Sequence, residues 1–504
     1  MTTINWPMRA RDADLRIRNF IDGHYIAAQT NNSSSDQAIT KHAPRDGSLL
    51  YTFSAGTAAD VNQAVASARQ AFEDGRWHGL PTHQRKTVLK KLADLIEAHK
   101  ETFALYECLD VGKPISKALT EDIPGAAATL RNCAEKADKL LSPSGANGGH
   151  FAYQRCKPMG VVAAIIGWNY PLTLAAQKVG PALAMGNSLI LKPSEFTSLS
   201  AGLLAELALE AGVPPGVLNV VHGSGTTVGA ALAEHQDVDL LTFVGSSATG
   251  KQLMITAGQS NMKRLILECG GKSPYLVFND CPSDLDAIAA NIVARAFPNQ
   301  GALCVAATRL LLQQNIKPRL LAKILEQTAQ ITPGDPLDPA TTFGALVNEA
   351  HRDKVLGYID SGQKEGASLI YGGQSIHPAG CEKGFYIEPT IFDKVTPQQK
   401  IFQEEIFGPV LSVSTFTDEQ EAIELANNSH YGLAAYAATE NLGRAQRLGQ
   451  CLNAGTLTIL ASSTLSGGGI DIGAQKHKES GFGYSGGPEG LAAYTTSTTV
   501  HLWT

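Results

Sequence analysis

Gly160-Val-Val-Ala-Ala-Ile-Ile-Gly167 is the stretch that decides the fold of this chain. Its apolar residues are continuous rather than alternating, which is typical of a strand that is buried on both faces. Further strand-like runs follow at residues 188–191, 217–221 and 239–244, with helix-like segments between them. This alternation predicts βαβ units, and therefore an α/β fold with a parallel sheet covered by helices on both faces. Ligands of such sheets bind at the carboxyl ends of the strands.

The same alternation resumes after residue 264 and continues to residue 452, which predicts a second α/β domain. At 504 residues the chain is too long for one ordinary core, so we expect two or three domains. Residues 140–149 are rich in Ser, Gly and Asn and predict a loop or boundary. Residues 492–503 predict a strand without a partner nearby in the sequence, and such a strand often pairs with another chain.

The composition excludes several classes of protein. Hydrophobic residues make up 43% of the chain and charged residues 17%, which is typical of a globular protein. The net charge of −6 argues against nucleic-acid and membrane-surface partners. No apolar run approaches the roughly 18 residues that span a bilayer, and the first residues do not resemble a secretory signal. The scattered cysteines include no CxxC pair, which predicts reduced thiols in a cytoplasmic protein and no metal site.

Phe297-Pro-Asn-Gln-Gly-Ala-Leu-Cys304 contains the candidate nucleophile. The Gly-containing turn lies between a predicted helix and an apolar run, a position suited to expose the sulfur of Cys304. We expect backbone N–H groups or a helix N-terminus to lower the pKa of this thiol towards the reactive thiolate. A single cysteine is more often a small buried apolar residue, so this stretch alone does not decide the function.

Glu268 and Asn169 each follow a predicted strand. Glu268 leaves an apolar strand beside two glycines, which predicts a general base whose pKa is raised by burial. The alternative is a strand-end glutamate that faces water. Asn169 is a neutral hydrogen-bond donor suited to stabilise an oxyanion, and the alternative is an ordinary turn asparagine.

Two glycine-containing loops follow consecutive strands, Gly223-Ser-Gly-Thr-Thr-Val-Gly229 and Gly245-Ser-Ser-Ala-Thr-Gly250. Because glycines let a phosphate approach the backbone and a helix N-terminus, two such loops favour a dinucleotide ligand over two unrelated turns. Lys192 and Glu195 end another strand and could bind the ribose hydroxyls of an adenosine. The carboxylate would repel a 2′-phosphate, which favours NAD over NADP. The alternative for this pair is a surface ion pair.

Six short motifs occur in order along the chain: Trp168-Asn169-Tyr170-Pro171, Leu191-Lys192-Pro193-Ser194-Glu195, Phe243-Val-Gly245-Ser246, Leu267-Glu268-Cys-Gly-Gly-Lys272, Asn299-Gln-Gly301 to Cys304, and Glu404-Glu405-Ile-Phe407-Gly-Pro409. Together they resemble the motifs of the aldehyde dehydrogenase superfamily. The resemblance covers about residues 19–503. It is strongest to the broad NAD-dependent group that oxidises aliphatic, aromatic and amino aldehydes.

The resemblance implies a fold of three parts. Residues 1–139 and 156–267 would form a Rossmann-type, parallel-sheet NAD-binding domain, and residues 268–479 an α/β catalytic domain. Residues 140–155 and 480–504 would form a small β oligomerisation arm, which implies a homodimer or homotetramer.

The resemblance also implies the role of each site residue. Cys304 would attack an aldehyde substrate to give a thiohemiacetal, whose oxyanion Asn169 and the Cys304 N–H would stabilise. Hydride transfer to NAD would leave a thioester, and Glu268 would activate the water that hydrolyses it. The implied cofactor-binding residues are Ile165, Trp168, Lys192, Glu195, Gly225, Gly229, Phe243, Gly245, Ser246, Thr249, Glu405 and Phe407.

The chain departs from the family pattern at several positions. Ser485 replaces an acid that, in some members, joins a lysine matched here by Lys178 in a proton relay. The family's Pro-Phe-Gly-Gly-x-Lys stretch reads Gly473-Ala-Gln-Lys-His-Lys478. His351 replaces a glutamine near the nicotinamide ribose.

The substrate entrance is also altered. Gln177 stands where relatives with small aliphatic substrates often carry a bulky aromatic residue, so we expect a remodelled and wider entrance. Its residues would be Tyr170, Leu174, Gln177, Leu303, Val305 and the loop at 461–472.

Two alternative functions remain open at this stage. A CoA-acylating aldehyde dehydrogenase would usually lack the general-base glutamate that Glu268 supplies here. A non-catalytic binding protein on the same scaffold would not need Cys304, Glu268 and Asn169 together. The altered segment at 473–485 keeps that second alternative open.

Overall fold

The computed structural model describes residues 4–28, 38–462 and 471–503. The α-helices are α1 Trp6–Arg11, α2 Ala58–Glu73, α3 Thr82–Ala98, α4 Lys100–Val111, α5 Ile115–Lys117, α6 Ile123–Lys136, α7 Pro171–Ala184, α8 Leu199–Ala211, α9 Ala230–Glu234, α10 Ser247–Gln259, α11 Leu285–Ala296, α12 Lys317–Thr328, α13 Glu349–Lys364, α14 Lys400–Gln403, α15 Glu419–Asn427, α16 Leu442–Cys451 and α17 Gly487–Ala492.

The strands alternate with these helices along much of the chain. They are β1 Asn19–Ile21, β2 His24–Ile26, β3 Ala38–His42, β4 Leu49–Ser54, β5 Ser144–Asn147, β6 His150–Pro158, β7 Val161–Ile165, β8 Ser188–Lys192, β9 Leu218–Val220, β10 Leu240–Val244, β11 Arg264–Glu268, β12 Pro274–Val277, β13 Arg309–Gln313, β14 Ser368–Tyr371, β15 Ser375–Ile376, β16 Tyr386–Ile387, β17 Thr390–Asp393, β18 Val410–Phe416, β19 Tyr431–Gly432, β20 Ala434–Ala438, β21 Thr456–Leu460, β22 Ala474–Gln475, β23 His477–Lys478, β24 Gly481–Phe482, β25 Tyr484–Ser485 and β26 Thr495–Trp503.

The first sheet has the strand order β2-β1-β9-β8-β7-β10-β11-β24. Its five inner strands, β9 to β11 in that order, are parallel, and β1 and β24 are antiparallel to their neighbours. In β7, Val161 and Ala163 pack into one hydrophobic core, while Val162 and Ala164 pack into another. The apolar run after Gly160 is continuous because helices cover both faces of this sheet, which confirms the predicted α/β fold.

The second sheet has the strand order β14-β17-β18-β13-β12-β20-β21 and is parallel except at β14. Ile288 of α11 and Leu320 of α12 belong to the core on one face. Val355 of α13 and Leu448 of α16 belong to the core on the other. The helices lie on both faces here too, as the sequence predicts for this half.

A separate three-stranded sheet, β26-β6-β5, is formed by segments far apart in the chain. Strand β26 pairs antiparallel with β6 along its whole length, from Thr495 opposite Pro158 to Trp503 opposite His150. The final strand thus has no partner nearby in the sequence, as predicted, and its partner lies in the same chain at a separation that local sequence reading does not reach. Strand β5 likewise occupies part of the predicted loop at 140–149.

The segment from β22 to β25 connects the two large sheets. Strand β23 pairs with β19 beside the second sheet, whereas β24 pairs with β11 of the first. Strands β22 and β25 pair with each other. Within the described ranges, no helix is both long enough and apolar enough to cross a membrane.

Candidate active site

A cavity of about 800 Å³ lies where the carboxyl ends of the first sheet face the second. Parallel strands place the residues that follow them at one edge of a sheet, so motifs far apart in sequence meet there. The predicted site residues that line this cavity are Cys304, Glu268, Asn169, Trp168, Gly245, Ser246, Glu405, Phe407, Tyr170, Gln177, Leu303 and Val305.

Cys304 follows a tight turn after helix α11. The 3₁₀ turn Pro298–Gly301 contains Asn299 and Gln300, both with a positive φ, at 47° and 57°. The side chain of Asn299 fixes this unusual backbone, because its Nδ2 donates to the carbonyl oxygen of Asn169 at 2.8 Å. A Cβ atom on Gly271 would lie only 2.2 Å from the carbonyl oxygen of Cys304. The backbone of Gly271 therefore packs directly against the backbone of Cys304.

The thiol of Cys304 is less acidic than the sequence predicts. Burial raises its pKa to about 12, and the charges of Glu405 and Glu268 act in the same direction. The expected lowering is wrong for this structure, because desolvation and two nearby carboxylates outweigh the backbone N–H groups of Cys304 and Val305. A positive charge brought into the cavity would lower the pKa of the Cys304 thiol and so reverse part of this rise.

Asn169 lies in the wall of the cavity at the start of α7. Its side-chain Nδ2 donates to the carbonyl oxygen of Ala302 at 3.0 Å, and the residue is only 6% exposed. This hydrogen bond ties the amide of Asn169 to the turn that holds Cys304. A neutral donor fixed in the lining of the cavity that also contains Cys304 is suited to stabilise an oxyanion.

Glu268 ends strand β11 within a cluster of polar groups. Lys178 of α7 donates to its Oε1, Ser485 Oγ donates to the same oxygen at 2.7 Å, and Lys476 Nζ lies 3.7 Å away. Burial acts to raise the pKa of Glu268, but the charges of Lys178 and Lys476 and these hydrogen bonds outweigh it and lower the pKa to about 2. The predicted raised pKa is therefore wrong, because it was inferred from the local strand and did not include the charges of Lys178 and Lys476 beside Glu268.

Glu405 provides a second carboxylate in the cavity. The backbone N–H of Gly271 donates to its Oε1 at 2.9 Å. Burial raises the pKa of Glu405 to about 7, against the opposing effects of that hydrogen bond and of Lys354 and Lys272. A Cβ on Gly270 would come within 2.3 Å of Oε2, so only glycine leaves room for the carboxylate.

An aromatic group lies next to Glu405. The ring of Trp168 packs edge-on against the rings of His351 and Phe407, at centroid distances of 5.0 Å and 5.2 Å. The Nε2 atom of His351 is 2.8 Å from the carbonyl oxygen of Phe407. Burial lowers the pKa of His351 to about 4, so the ring is neutral near pH 7.

Two helix starts lie at the same edge of the first sheet. Ser246 caps α10, since its Oγ accepts from the N–H of Thr249 at 3.2 Å. Ser224 caps the π-helical turn Gly225–Gly229 in the same way, accepting from the N–H of Thr227 at 3.1 Å. These capped helix starts carry free N–H groups, which suit an anionic phosphate.

Seven predicted cofactor residues lie outside the lining of the cavity: Ile165, Lys192, Glu195, Gly225, Gly229, Phe243 and Thr249. Lys192 Nζ is 3.4 Å from Glu195 Oε2, and Lys192 itself is 2% exposed, so this pair is not an ordinary surface ion pair. Phe243 and Ile165 are buried in the core below the loops. All seven follow or end strands of the first sheet at its carboxyl edge, or begin the helices after them.

Several residues of the cavity were not predicted from the sequence. These are Asn132, Cys133 and Lys136 of helix α6, whereas Asp471 and Ile472, which also line the cavity, belong to the predicted entrance loop. Lys136 and Asp471 form an ion pair in the lining of the cavity. Most of the predicted entrance loop at 461–472 lies outside the described residues. The amphipathic pattern of α6 indicates only that one side of it is buried, so it gives no signal for a binding role.

No group of three or more His, Cys, Asp or Glu side chains in the described part of the chain is arranged to hold a metal ion.

Comparisons with known proteins give a consistent result. The sequence matches the aldehyde dehydrogenase family over residues 30–500. It is 44% identical to the NADP/NAD-dependent aldehyde dehydrogenase PuuC of Escherichia coli (strain K12) over 498 residues, which is 99% of this chain and 98% of that protein. It is 43% identical to an aminoacetaldehyde dehydrogenase of Pseudomonas aeruginosa over 480 residues, 94% of this chain and 93% of that one.

Solved structures agree with the sequence comparisons. The indole-3-acetaldehyde dehydrogenase AldA of P. syringae, a C302A mutant in complex with NAD+ and IAA, superposes with a TM-score of 0.94 at 44% identity, covering 99% of both chains. The aldehyde dehydrogenase KauB of Pseudomonas aeruginosa gives a TM-score of 0.94 at 43% identity, also over 99% of both chains.

Proposed function

This chain belongs to the aldehyde dehydrogenase family and is an NAD-dependent oxidoreductase, and we propose that Cys304, Asn169 and Glu268 carry out the oxidation of its aldehyde to the acid. The observation that carries this proposal is the single cavity in which all three side chains meet. Glu405 and the ring of Phe407 line the same cavity, beside the space where a cofactor would have to reach the thiol.

The residues present fit an NAD cofactor. Glu405 offers a carboxylate to the hydroxyls of one ribose, and Lys192 with Glu195 offers a donor and an acceptor to those of the other. The capped start of α10 at Ser246 suits the pyrophosphate. When bound there, the cofactor supplies a nicotinamide ring that accepts a hydride. The Glu195 carboxylate would disfavour the additional phosphate of NADP.

The first chemical step belongs to Cys304. Its sulfur, as the thiolate, adds to the carbonyl carbon of the aldehyde and gives a thiohemiacetal. The substrate oxygen becomes negative in this step, and the amide of Asn169 and the backbone N–H of Cys304 are the donors placed to receive it. Because the pKa of the resting thiol is about 12, we propose that the thiolate forms only once the positive charge of the cofactor is nearby.

Hydride loss from the thiohemiacetal leaves a thioester on Cys304, which must then be hydrolysed. We assign the activation of water to Glu268, which lines the same cavity as Cys304. In its resting position its Oε1 accepts from Lys178 and Ser485. Glu268 must therefore loosen these contacts or pass its proton on through them.

The substrate is an aldehyde, and the cavity favours one with a polar tail. Close to Cys304 the walls are apolar, with Leu303, Val305 and the ring of Tyr170. Other parts of the lining are polar, with Gln177 and the Lys136–Asp471 ion pair. An amino or amide group on the distal end of the aldehyde would meet hydrogen-bonding partners there. The relatives named for aminoacetaldehyde and indole-3-acetaldehyde have substrates with such nitrogen-containing tails.

We further propose the division into an NAD-binding, a catalytic and an arm segment given above, with a homodimer or homotetramer formed through the arm. The β26-β6-β5 sheet supports this assembly, because Phe151 and Leu502 pair across its strands and are 41% and 46% exposed. Neighbouring apolar side chains on an exposed strand pair are typical of a contact surface.

The experiment that tests the proposed function follows NADH formation by wild type and Cys304→Ala across a panel of aldehydes, from short aliphatic to aromatic and ω-amino aldehydes. We expect turnover with NAD only in the wild type, with the highest kcat/KM for the polar-tailed aldehydes. Turnover by Cys304→Ala equal to that of wild type would exclude the covalent mechanism. Product analysis with added coenzyme A separates hydrolysis from acyl transfer.

A further inference from the structure

Lys476 is a buried lysine behind the carboxylate of Glu268. The residue is 6% exposed, and it is absent from the residues that line the cavity. The backbone on either side of it is fixed by strand pairing, with Gln475 opposite Tyr484 and His477 opposite Gly432. These pairings leave Lys476 between two short ladders and direct its side chain into the interior.

Lys476 is connected to Glu268 through a serine. Its Nζ donates to Ser485 Oγ, and Ser485 Oγ in turn donates to Glu268 Oε1 at 2.7 Å. The direct distance from Lys476 Nζ to the same Oε1 is 3.7 Å. The three side chains therefore form a continuous path for a proton from the cavity to an amine that substrate does not reach.

The charges around this path do not balance. The titratable groups that face Lys476 are Glu268, Lys178, Cys269 and Cys304. When both amines are protonated, two ammonium groups surround one carboxylate, and Glu268 is held as a stable anion with little tendency to take a proton from water. If one amine loses its proton, the anion loses a stabilising charge and becomes a stronger base.

Lys476 is the amine able to do so near physiological pH. Burial lowers its pKa to about 8, against the opposing effect of the Glu268 charge. Ser485 stands where the family pattern has an acid, and Lys476 stands where it has a glycine. These two substituted positions, Lys476 and Ser485, are joined by a hydrogen bond. A serine hydroxyl can pass a proton on but does not retain it.

We propose that Lys476 is a positioning residue of the hydrolytic step, which sets the charge state of Glu268 and takes up, through Ser485, the proton that Glu268 removes from water. This inference rests on the proposed function. The oxygen of water forms a bond to the thioester carbon, and the proton passes from Glu268 through Ser485 to the neutral amine. The carbon–sulfur bond then breaks, the thiolate of Cys304 leaves, and the ammonium of Lys476 later releases the proton to water.

The test isolates hydrolysis from oxidation by using an activated ester, which has no hydride to transfer, with saturating NAD present so that its positive charge favours the thiolate of Cys304. p-Nitrophenyl acetate acetylates the thiol with release of p-nitrophenol, so the burst reports acylation of Cys304 and the steady rate reports hydrolysis of the acetyl-enzyme. Both are measured from about pH 6 to about pH 10. For wild type we expect a hydrolysis rate that rises with pH through a midpoint near the pKa of Lys476, and then levels off.

Three variants separate a titrating role from a structural one. Lys476→Arg keeps the cation but does not lose it in this range, so its hydrolysis should stay at the low-pH rate, at least about tenfold below wild type at high pH. Lys476→Met and Ser485→Ala should lose the pH-dependent rise by removing the amine or the link to it. All three should retain the acylation burst. Lys478→Arg is the matched control, because Lys478 Nζ donates to the carbonyl oxygens of Asn427 and Ser429 and, among the described residues, has no hydrogen bond to Glu268 or Ser485.

Each outcome is decisive. A wild-type pH profile in Lys476→Arg overturns the inference, and so does a loss in Lys478→Arg as large as in Lys476→Arg. If Lys476→Arg does not fold, a wild-type profile in Ser485→Ala overturns it equally. A wild type that shows a burst but pH-independent hydrolysis contradicts this inference alone. A wild type without any burst contradicts the assignment of Cys304 as well.

Discussion

Glu405 is a buried carboxyl whose charge changes near neutral pH, because burial raises its pKa to about 7. Above that pH it is a carboxylate able to accept hydrogen bonds from two ribose hydroxyls, and below it the group is neutral and a weaker acceptor. A hydrogen bond to a charged group is stronger than one to a neutral group by about 1 kcal/mol. We therefore expect the Kd for NAD to rise up to about tenfold from about pH 8 to about pH 6, measured by calorimetric titration.

Glu405→Gln should bind NAD weakly and with little dependence on pH, since the amide has no charge to lose. Glu404→Gln is the matched control, because Glu404 is exposed and accepts from the hydroxyl of Tyr358. It should keep both the affinity and the pH dependence of wild type. An equal pH dependence in Glu405→Gln would assign the titration to another group.

The motifs identify Cys304, Glu268 and Asn169 as site residues, but the sequence does not predict their acidity. The sequence around Glu268 indicates only an apolar strand, and burial alone would raise the pKa of this carboxyl. Lys178, whose charge lowers the pKa of Glu268, lies 90 positions earlier in the chain. Ser485, which donates a hydrogen bond to Glu268, lies 217 positions later. A pKa depends on neighbours in space, so residue identity can be inferred from a motif while its charge state needs the fold.

At the scale of elements, the link between β11 and β12 places the nucleophile. Gly271 lies in this link, and a Cβ there would be 2.2 Å from the carbonyl oxygen of Cys304, about 1 Å closer than atoms tolerate. In Gly271→Ala the turn carrying Cys304 must move by about that distance. Because a displacement of about 1 Å at a reacting group can lower a rate by about 100-fold, we expect kcat for aldehyde oxidation to fall by that order.

Gly258→Ala is the control for this change. Gly258 lies in α10, and a Cβ there has nothing within 4 Å. Its kcat should equal that of wild type, and its melting temperature should be equal or slightly higher, since alanine favours the helix. A kcat in Gly271→Ala within about twofold of wild type would show that the turn does not control the position of the sulfur.

Most inner strands of the two sheets were predictable because they are short apolar runs that alternate with helical patterns, whereas β17 was not predicted. The pairing of strand β26 with β6 follows from no local pattern, and only the family resemblance brought the two segments together in one arm. His501 lies 351 positions from His150, with which it is in contact, and strand pairing at that distance leaves no local periodicity in the sequence. The turn at Asn299 was located from the sequence, but its left-handed backbone was not predicted, because it depends on a hydrogen bond to Asn169.

At the scale of the whole molecule, the arm sheet presents apolar side chains to its surroundings. Leu502 pairs with Phe151, and Val500 with Tyr153, on one face of the strands. If this face is the contact between copies, Leu502→Asp buries a charge there and should dissociate the assembly by a cost of several kcal/mol. Light scattering should show wild type at a two- or fourfold multiple of 53.3 kDa and the variant at a smaller multiple.

Thr499→Asp tests whether the effect depends on the face. Thr499 is exposed on the same strand, but its side chain points to the opposite side from Leu502. It should leave the mass unchanged. A wild type that is itself monomeric, or a Leu502→Asp variant with the wild-type mass, would contradict the proposed assembly.

The pairing of β24 with β11 has a consequence for synthesis. Ser485 lies 217 residues downstream of Glu268. A ribosome adding about 5–20 residues per second needs roughly 10–40 s to cover that interval. For most of this time a nascent chain carries Cys304 and Glu268, the proposed nucleophile and base, without the later segment that contacts Glu268. An electrophile that reached Cys304 during this interval would form an adduct that the incomplete protein could not hydrolyse. Synthesis of the late segment therefore also determines when the chain can meet its substrate without being inactivated.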